Sequence, residues 1–227
     1  MNSGPRKHGI VSPEVVATIE AFFALRDWEG LWLTGGTCLA EYWFGHRVSV
    51  DVDLFTADPA LYRDARESLR RPSALRAVGE IETVRTDVHF CQFLLRSPLG
   101  TVVKVDLVED IPVVIHRKVR LGDVWLDSLP DIAANKMGCL VQREDPKDLV
   151  DLFFLLPRLG LDTRQAVALG RRKDAGLDPL LLAAQLAAAA ERDPPAGLRD
   201  GVSWEQVVYF ARRMRADLLR IIAPRPE

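Results

Sequence analysis

Residues 33–55 read LTGGTCLAEYWFGHRVSVDVDLF. An apolar run ends in Gly35-Gly36-Thr37, and fifteen residues after Gly36 a second apolar run carries Asp51 and Asp53. Leu31-Trp32-Leu33 predicts a short strand, the glycines a turn, and Thr37 to Phe44 a short helix stopped by Gly45. Val48 to Phe55 alternates. Val48, Val50, Val52 and Leu54 take one face of a strand, and Ser49, Asp51, Asp53 and Phe55 the other. Strand, turn, helix, strand is a tight constraint. It places two like charges side by side on a face next to a glycine turn.

Carboxylates at i and i+2 of a strand offer oxygen ligands to a hard divalent cation such as Mg²⁺, with Mn²⁺ a possible substitute. Without a cation their mutual repulsion separates their pKa values. An edge strand with one wet face would also explain the pair. Asp106, in the alternating run Val102 to Leu107, supplies a candidate third carboxylate on a neighbouring strand, although Glu109 and Asp110 are close by. Three carboxylates suit a two-metal site bracing an in-line displacement at phosphorus. A glycine turn at a helix start lets backbone N–H groups approach a phosphate.

The rest of the chain fits a mixed α/β front half and a helical back half, with the joint near residue 125. Ser12-Pro13-Glu14 opens a helix. Residues 58–76 read as helical, Val88–Leu95 and Thr101–Val108 as strands joined by Ser97-Pro98-Leu99-Gly100, and Val113–Leu121 as another strand. Ser128-Leu129-Pro130-Asp131 starts a helix with a capping-box spacing, and Lys147 to Leu156 forms the next. Asp162 and Ser203 read as N-caps, DPLLLAAQLAAAAERD as a strong helix, and the last helix as burying Trp204, Val207, Val208, Met214 and Leu218.

The 30 basic and 32 acidic residues give a formal charge of −2, which excludes a global electrostatic pull toward nucleic acid or anionic membrane. Three scattered cysteines without a CxxC pair argue against structural zinc and a disulfide framework, and for a reducing compartment. No signal peptide or apolar span is apparent, so the expectation is a cytoplasmic protein with no membrane partner.

The GGT turn, followed by His46-Arg47-x-Ser49-Val50-Asp51-Val52-Asp53-Leu54-Phe55, resembles the nucleotidyltransferase-like AbiEii/AbiGii toxins. These are the toxin halves of type IV toxin–antitoxin pairs in the polymerase-beta-like superfamily. A second block resembles the family too: Lys136 to Arg143, then Pro146-Lys147-Asp148-Leu149-Val150-Asp151-Leu152. The resemblance spans about residues 30–156. It implies a nucleotidyltransferase-like α/β (α+β) domain over 1–125, a mixed sheet flanked by helices, and a helical domain over 126–227. It implies Mg²⁺-dependent transfer of NMP from an NTP to an acceptor, in relatives the 3′ end of tRNA, and a separate antitoxin chain.

By that resemblance Gly35, Gly36 and Thr37 hold the triphosphate. Asp51, Asp53 and Asp106 bind metal and catalyse, and Lys136 reaches the phosphates. Lys136 and Arg143, seven residues apart, also share one helix face by spacing alone. Ser49 shares the aspartate face and is positioned for phosphate or metal-bound water. Arg143 and Asp148 complete the nucleotide-binding candidates, though Asp148 and Asp151 equally suit a helix N-terminus structurally. His46 and Arg47 either bind acceptor or pyrophosphate, or brace Asp53. The basic clusters His116 to Arg120 and Arg212-Arg213-x-Arg215 read as RNA contacts or as solvated faces. Two alternatives stand beside this reading: a non-catalytic nucleotide- or RNA-binding member of the fold, and a haloacid-dehalogenase-like phosphatase, whose motif is also a strand with DxD.

Overall fold

The computed structural model describes residues 4–71, 73–199 and 201–223. The chain divides into two compact units between Ser128 and Leu129.

The first unit is a seven-stranded mixed sheet with helices. In chain order it contains α1 (Pro13–Phe23), β1 (Leu31–Thr34), α2 (Gly35–Thr37) running into a π-helical stretch Cys38–Phe44, β2 (Asp51–Thr56), α3 (Pro59–Leu69), β3 (Glu80–Thr86), β4 (Phe90–Arg96), β5 (Val102–Glu109), β6 (Val119–Leu121) and β7 (Val124–Leu126). The strand order is β3-β4-β5-β2-β1-β7-β6. β2 pairs parallel with β5 and antiparallel with β1.

Period-two patterning decides which face is wet. Val52, Leu54, Val103, Val105, Leu107, Cys91, Phe93 and Leu95 are buried and in register across β2, β5 and β4. α3 closes this face, its Tyr62 hydroxyl donating to Cys91 Sγ at 3.6 Å. On the opposite face the same register lines up Asp51 with Lys104, and Asp53 and Gln92 with Asp106.

Several sequence expectations need correction. The strand carrying the aspartates begins at Asp51; Val48 and Val50 lie before it and are exposed, since no neighbour covers them there. Thr37–Phe44 is helical but mostly π rather than α, and the Gly45 N–H bonds the Ala40 carbonyl five residues back at 2.9 Å. β3 and β7 are strands that patterning did not reveal. β3 is an edge strand exposed along most of its length, so it lacks an apolar alternation. Of Val113–Leu121 only the last three residues form a strand.

Glu41 is buried within the π-helical stretch and accepts backbone N–H groups from His8, Gly9, Ile10 and Val11 at 2.9–3.1 Å. Four donors solvate one buried carboxylate and fasten the N-terminal segment.

The second unit contains α4 (Leu129–Gln142), α5 (Pro146–Leu159), α6 (Thr163–Arg171), α7 (Pro179–Ala190) and α8 (Trp204–Ile222). Asp145, Asp178 and Ser203 cap their helices through side-chain oxygens, and Asp162 makes a full capping box with Gln165. α8 buries Val207, Ala211, Met214 and Leu218; Trp204 and Val208 are only half-buried, because the buried stripe falls at the i, i+4, i+7, i+11 positions that begin at Val207. Asp131 is buried against Lys173 at 3.5 Å, so it ties α4 to the end of α6. No helix among the described residues is long and apolar enough to cross a membrane.

Candidate active site

Gly35 stands at the end of β1 with φ +70°, a conformation that disfavours side chains. A Cβ there would lie 2.1 Å from Asp53 Oδ2. Gly36 is fixed by a different neighbour. A Cβ on it would lie 2.3 Å from Arg47 Nη2 and 3.0 Å from Ser49 Oγ. The turn is therefore glycine on both counts of space, with a carboxylate against its first residue and a buried guanidinium against its second. Arg47 is 3 % exposed and donates from Nη1 to the Val48 carbonyl at 3.1 Å. Thr37 is buried, and its hydroxyl donates to the Asp51 backbone carbonyl. That bond ties the helix start to the first residue of the aspartate strand.

Strand register brings the carboxylates together. Asp53 is paired with Asp106 on β5 and with Thr34 on β1. Asp106 is largely buried and receives the Gln92 amide at 2.9 Å. Glu109, by contrast, pairs with Thr56 at the far end of β2, three residues past the Asp53–Asp106 pair and so on the other strand face, and its carboxylate lies 3.2 Å from His89.

Lys104 Nζ sits between the two strands' acids, 3.3 Å from Asp51 and 3.2 Å from Asp106. Burial acts to lower its pKa, but Asp106 and Asp51 outweigh that and raise it. Sequence reading missed Lys104 and Gln92 as members of this face. The signal for Lys104 was present: it stands two residues before Asp106 in an alternating strand and so shares its face. Gln92 carried no such signal, since only strand pairing brings it there.

Among the described residues no three His, Cys, Asp or Glu side chains are gathered into a group that could hold a metal ion by themselves. Asp51 and Asp106 converge instead on Lys104, while Asp53 lies against Gly35. The donor set nonetheless suits a hard divalent cation: carboxylate oxygens face a position already taken by positive charge.

In the second unit Lys136 is buried, with Nζ 2.6 Å from Asp148 and 2.7 Å from Asp151. Arg143 meets Asp148 with two bonds, Nε to Oδ2 at 2.7 Å and Nη2 to Oδ1 at 3.1 Å. Burial would raise the Asp148 pKa, but Lys136 and Arg143 overcome it and hold the carboxyl below its usual value. The Arg143 side chain is 57 % exposed, so the network has a buried end at Lys136 and a wet end at Arg143.

The first basic cluster divides. Lys118 turns inward to the fully buried Asp127 at 2.6 Å, and Thr34 donates to the same carboxylate at 2.7 Å. Lys118 Nζ also lies 4.2 Å from the centre of the Trp32 ring. A buried ion pair on an aromatic face is neither a solvated patch nor an RNA contact. Arg212, Arg213 and Arg215 are exposed on α8. His46 is buried, with its ring 5.7 Å from Phe44.

Residues 23–223 match the family model described as nucleotidyl transferase AbiEii toxin, type IV toxin–antitoxin system. No curated protein matches the chain. Among solved structures, MenT4, a nucleotidyltransferase toxin from Mycobacterium tuberculosis H37Rv, is 18 % identical with a TM-score of 0.62, covering 91 % of this chain and 85 % of that one. A putative nucleotidyltransferase from H. pylori is 14 % identical at TM-score 0.55, with 94 % and 100 % covered. JHP933 from Helicobacter pylori is 15 % identical at 0.54, with 93 % and 94 % covered. At these identities the likeness is one of fold.

Proposed function

Because the chain belongs to the AbiEii nucleotidyltransferase toxin family of type IV toxin–antitoxin systems, we propose that it transfers NMP from an NTP to the 3′ end of tRNA and releases pyrophosphate. The observation that carries this reading is the pairing of Asp53 with Asp106 beside a glycine turn that packs on Asp53.

In this reading Asp51, Asp53 and Asp106 hold Mg²⁺, with Mn²⁺ a workable replacement. The ion, when bound, neutralises charge on the phosphates and lowers the barrier to displacement at Pα. Asp106 takes the proton of the attacking hydroxyl as the acceptor O–Pα bond forms and the Pα–O bond to pyrophosphate breaks. Gln92 orients Asp106 through its amide. The backbone N–H groups of Gly35, Gly36 and Thr37 receive phosphate oxygens. Ser49 and the buried Arg47 add a donor and a positive charge directly behind Gly36. In the second unit Asp148 holds in place Lys136 and Arg143, the cations that the family resemblance assigns to nucleotide phosphate. The protein acts in the cytoplasm, and its toxicity is restrained by an antitoxin encoded as a separate chain.

The test is label transfer. Purified protein and Asp51→Ala are incubated with Mg²⁺, each α-labelled NTP and total tRNA, then resolved on a denaturing gel. Label on tRNA with the wild type alone is the expected result. Label on the protein itself would replace tRNA by a protein acceptor. NTP binding without transfer to any acceptor would overturn the enzymatic reading in favour of a binding-only member of the family.

A further inference from the structure

Among the described residues Lys104 is the cation that touches both Asp51 and Asp106, and nothing in the proposed transfer uses it. It reaches them because of register. On parallel β2 and β5, Lys104 is the cross-strand partner of Asp51, and Asp106 lies two residues further along the same strand face. The ammonium is therefore close to both acids without leaving its own strand. Its stem is about one-third exposed, whereas Asp106 is 14 % exposed. Water screens this pair incompletely, and a buried acid needs a compensating charge.

We infer that Lys104 is a resident counter-cation that neutralises Asp51 and Asp106 before the divalent ion arrives and that the ion must displace. The inference rests on the reading that these carboxylates hold a divalent cation. Its physical basis is competition. Two positive charges cannot share the oxygens of Asp51 and Asp106 at contact distance, so binding the ion moves the ammonium off them. The carboxylates do not need Lys104 to stay aligned, because β2–β5 pairing fixes their backbones and Gln92 holds Asp106. Removing the ammonium therefore removes a competitor while leaving the ligands in place. The sign follows: loss of Lys104 tightens metal binding to the nucleotide-free protein.

The measurement is a titration of nucleotide-free protein with Mn²⁺ alone, followed by electron paramagnetic resonance of the free ion. Wild type, Lys104→Met, Lys104→Gln and Asp51→Asn are compared, with melting curves in chelator and in Mn²⁺. Two weakened ion pairs correspond to about a three- to tenfold tighter Kd in Lys104→Met. Lys104→Gln, which keeps donors but not charge, should tighten as well. In chelator Lys104→Met should melt below the wild type, and added Mn²⁺ should raise its melting temperature more than it raises the wild type's. Asp51-dependent Mn²⁺ binding by the wild type that is unchanged or weaker in both Lys104 variants overturns the inference and leaves the proposed reaction standing. No Asp51-dependent binding in any form removes the metal reading and the inference together.

Discussion

Asp53 on β2 and Asp106 on β5 stand opposite each other across a parallel strand pair, although 53 positions separate them in the chain. Parallel pairing needs a crossover, here supplied by α3 and the β3–β4 hairpin. The face they share also carries Lys104 and Gln92, so the acids sit in a small polar layer on a sheet whose other face is core.

Substituting Asp106 by Asn keeps the shape and removes the charge. Transfer should fall by about 10³-fold or more, roughly 4 kcal/mol of transition-state stabilisation. The melting temperature should hold or rise, because one of three neighbouring negative charges is gone. Single-turnover label transfer alongside a thermal melt checks both halves. A variant that keeps full transfer would remove Asp106 from the mechanism.

Gly35→Ala tests the turn. The backbone cost of a side chain at positive φ is about 1–2 kcal/mol, and the new methyl must push Asp53 away from its place. Transfer should drop by more than the stability loss explains, with a fall of a few degrees in melting temperature. An alanine variant with wild-type transfer would mean Asp53 is not held where the chemistry needs it.

The Lys136–Asp148–Arg143 network makes a stability prediction with a defined sign. The folded-state pKa of Asp148 is lowered, so its contribution is present in full above the unfolded value of about 3.9 and is lost as pH falls through the folded value. Asp148→Asn should cost about 3 kcal/mol near neutral pH, since it leaves buried positive charge undercompensated. The gap between variant and wild type should narrow as pH drops below about 4. Urea unfolding at a series of pH values decides it; a gap that is constant with pH would refute the assignment.

Glu41→Ala should release the N-terminal segment. The N–H groups of Gly9, Ile10 and Val11 lose their acceptor, while that of His8 keeps the backbone carbonyl of residue 41 at 2.8 Å, at about 1.5–3 kcal/mol for charged-group hydrogen bonds of this kind. Amide exchange at residues 9–11 should accelerate at least about tenfold, with β4 and β5 amides unchanged. Equal acceleration throughout the sheet would show that Glu41 supports the whole unit rather than the segment.

The sequence by itself determined the strand–glycine turn–helix–strand order, the shared face of Asp51 and Asp53, and the helix starts at Ser12, Asp162 and Ser203. Each is local: a period of two, a cap, or a glycine within a few residues of its effect. The family was legible for the same reason, because its marks are short and contiguous. Tertiary structure alone decided which acid faces Asp53, that Gln92 joins the layer, and that Lys104 bridges Asp51 and Asp106. Those facts depend on which strands pair and in what register, and register is set by the whole apolar face rather than by any one segment. The same holds for buried charge. Lys118, Asp127, Glu41 and Asp131 look solvated in sequence, and only packing shows the partners that make their burial tolerable.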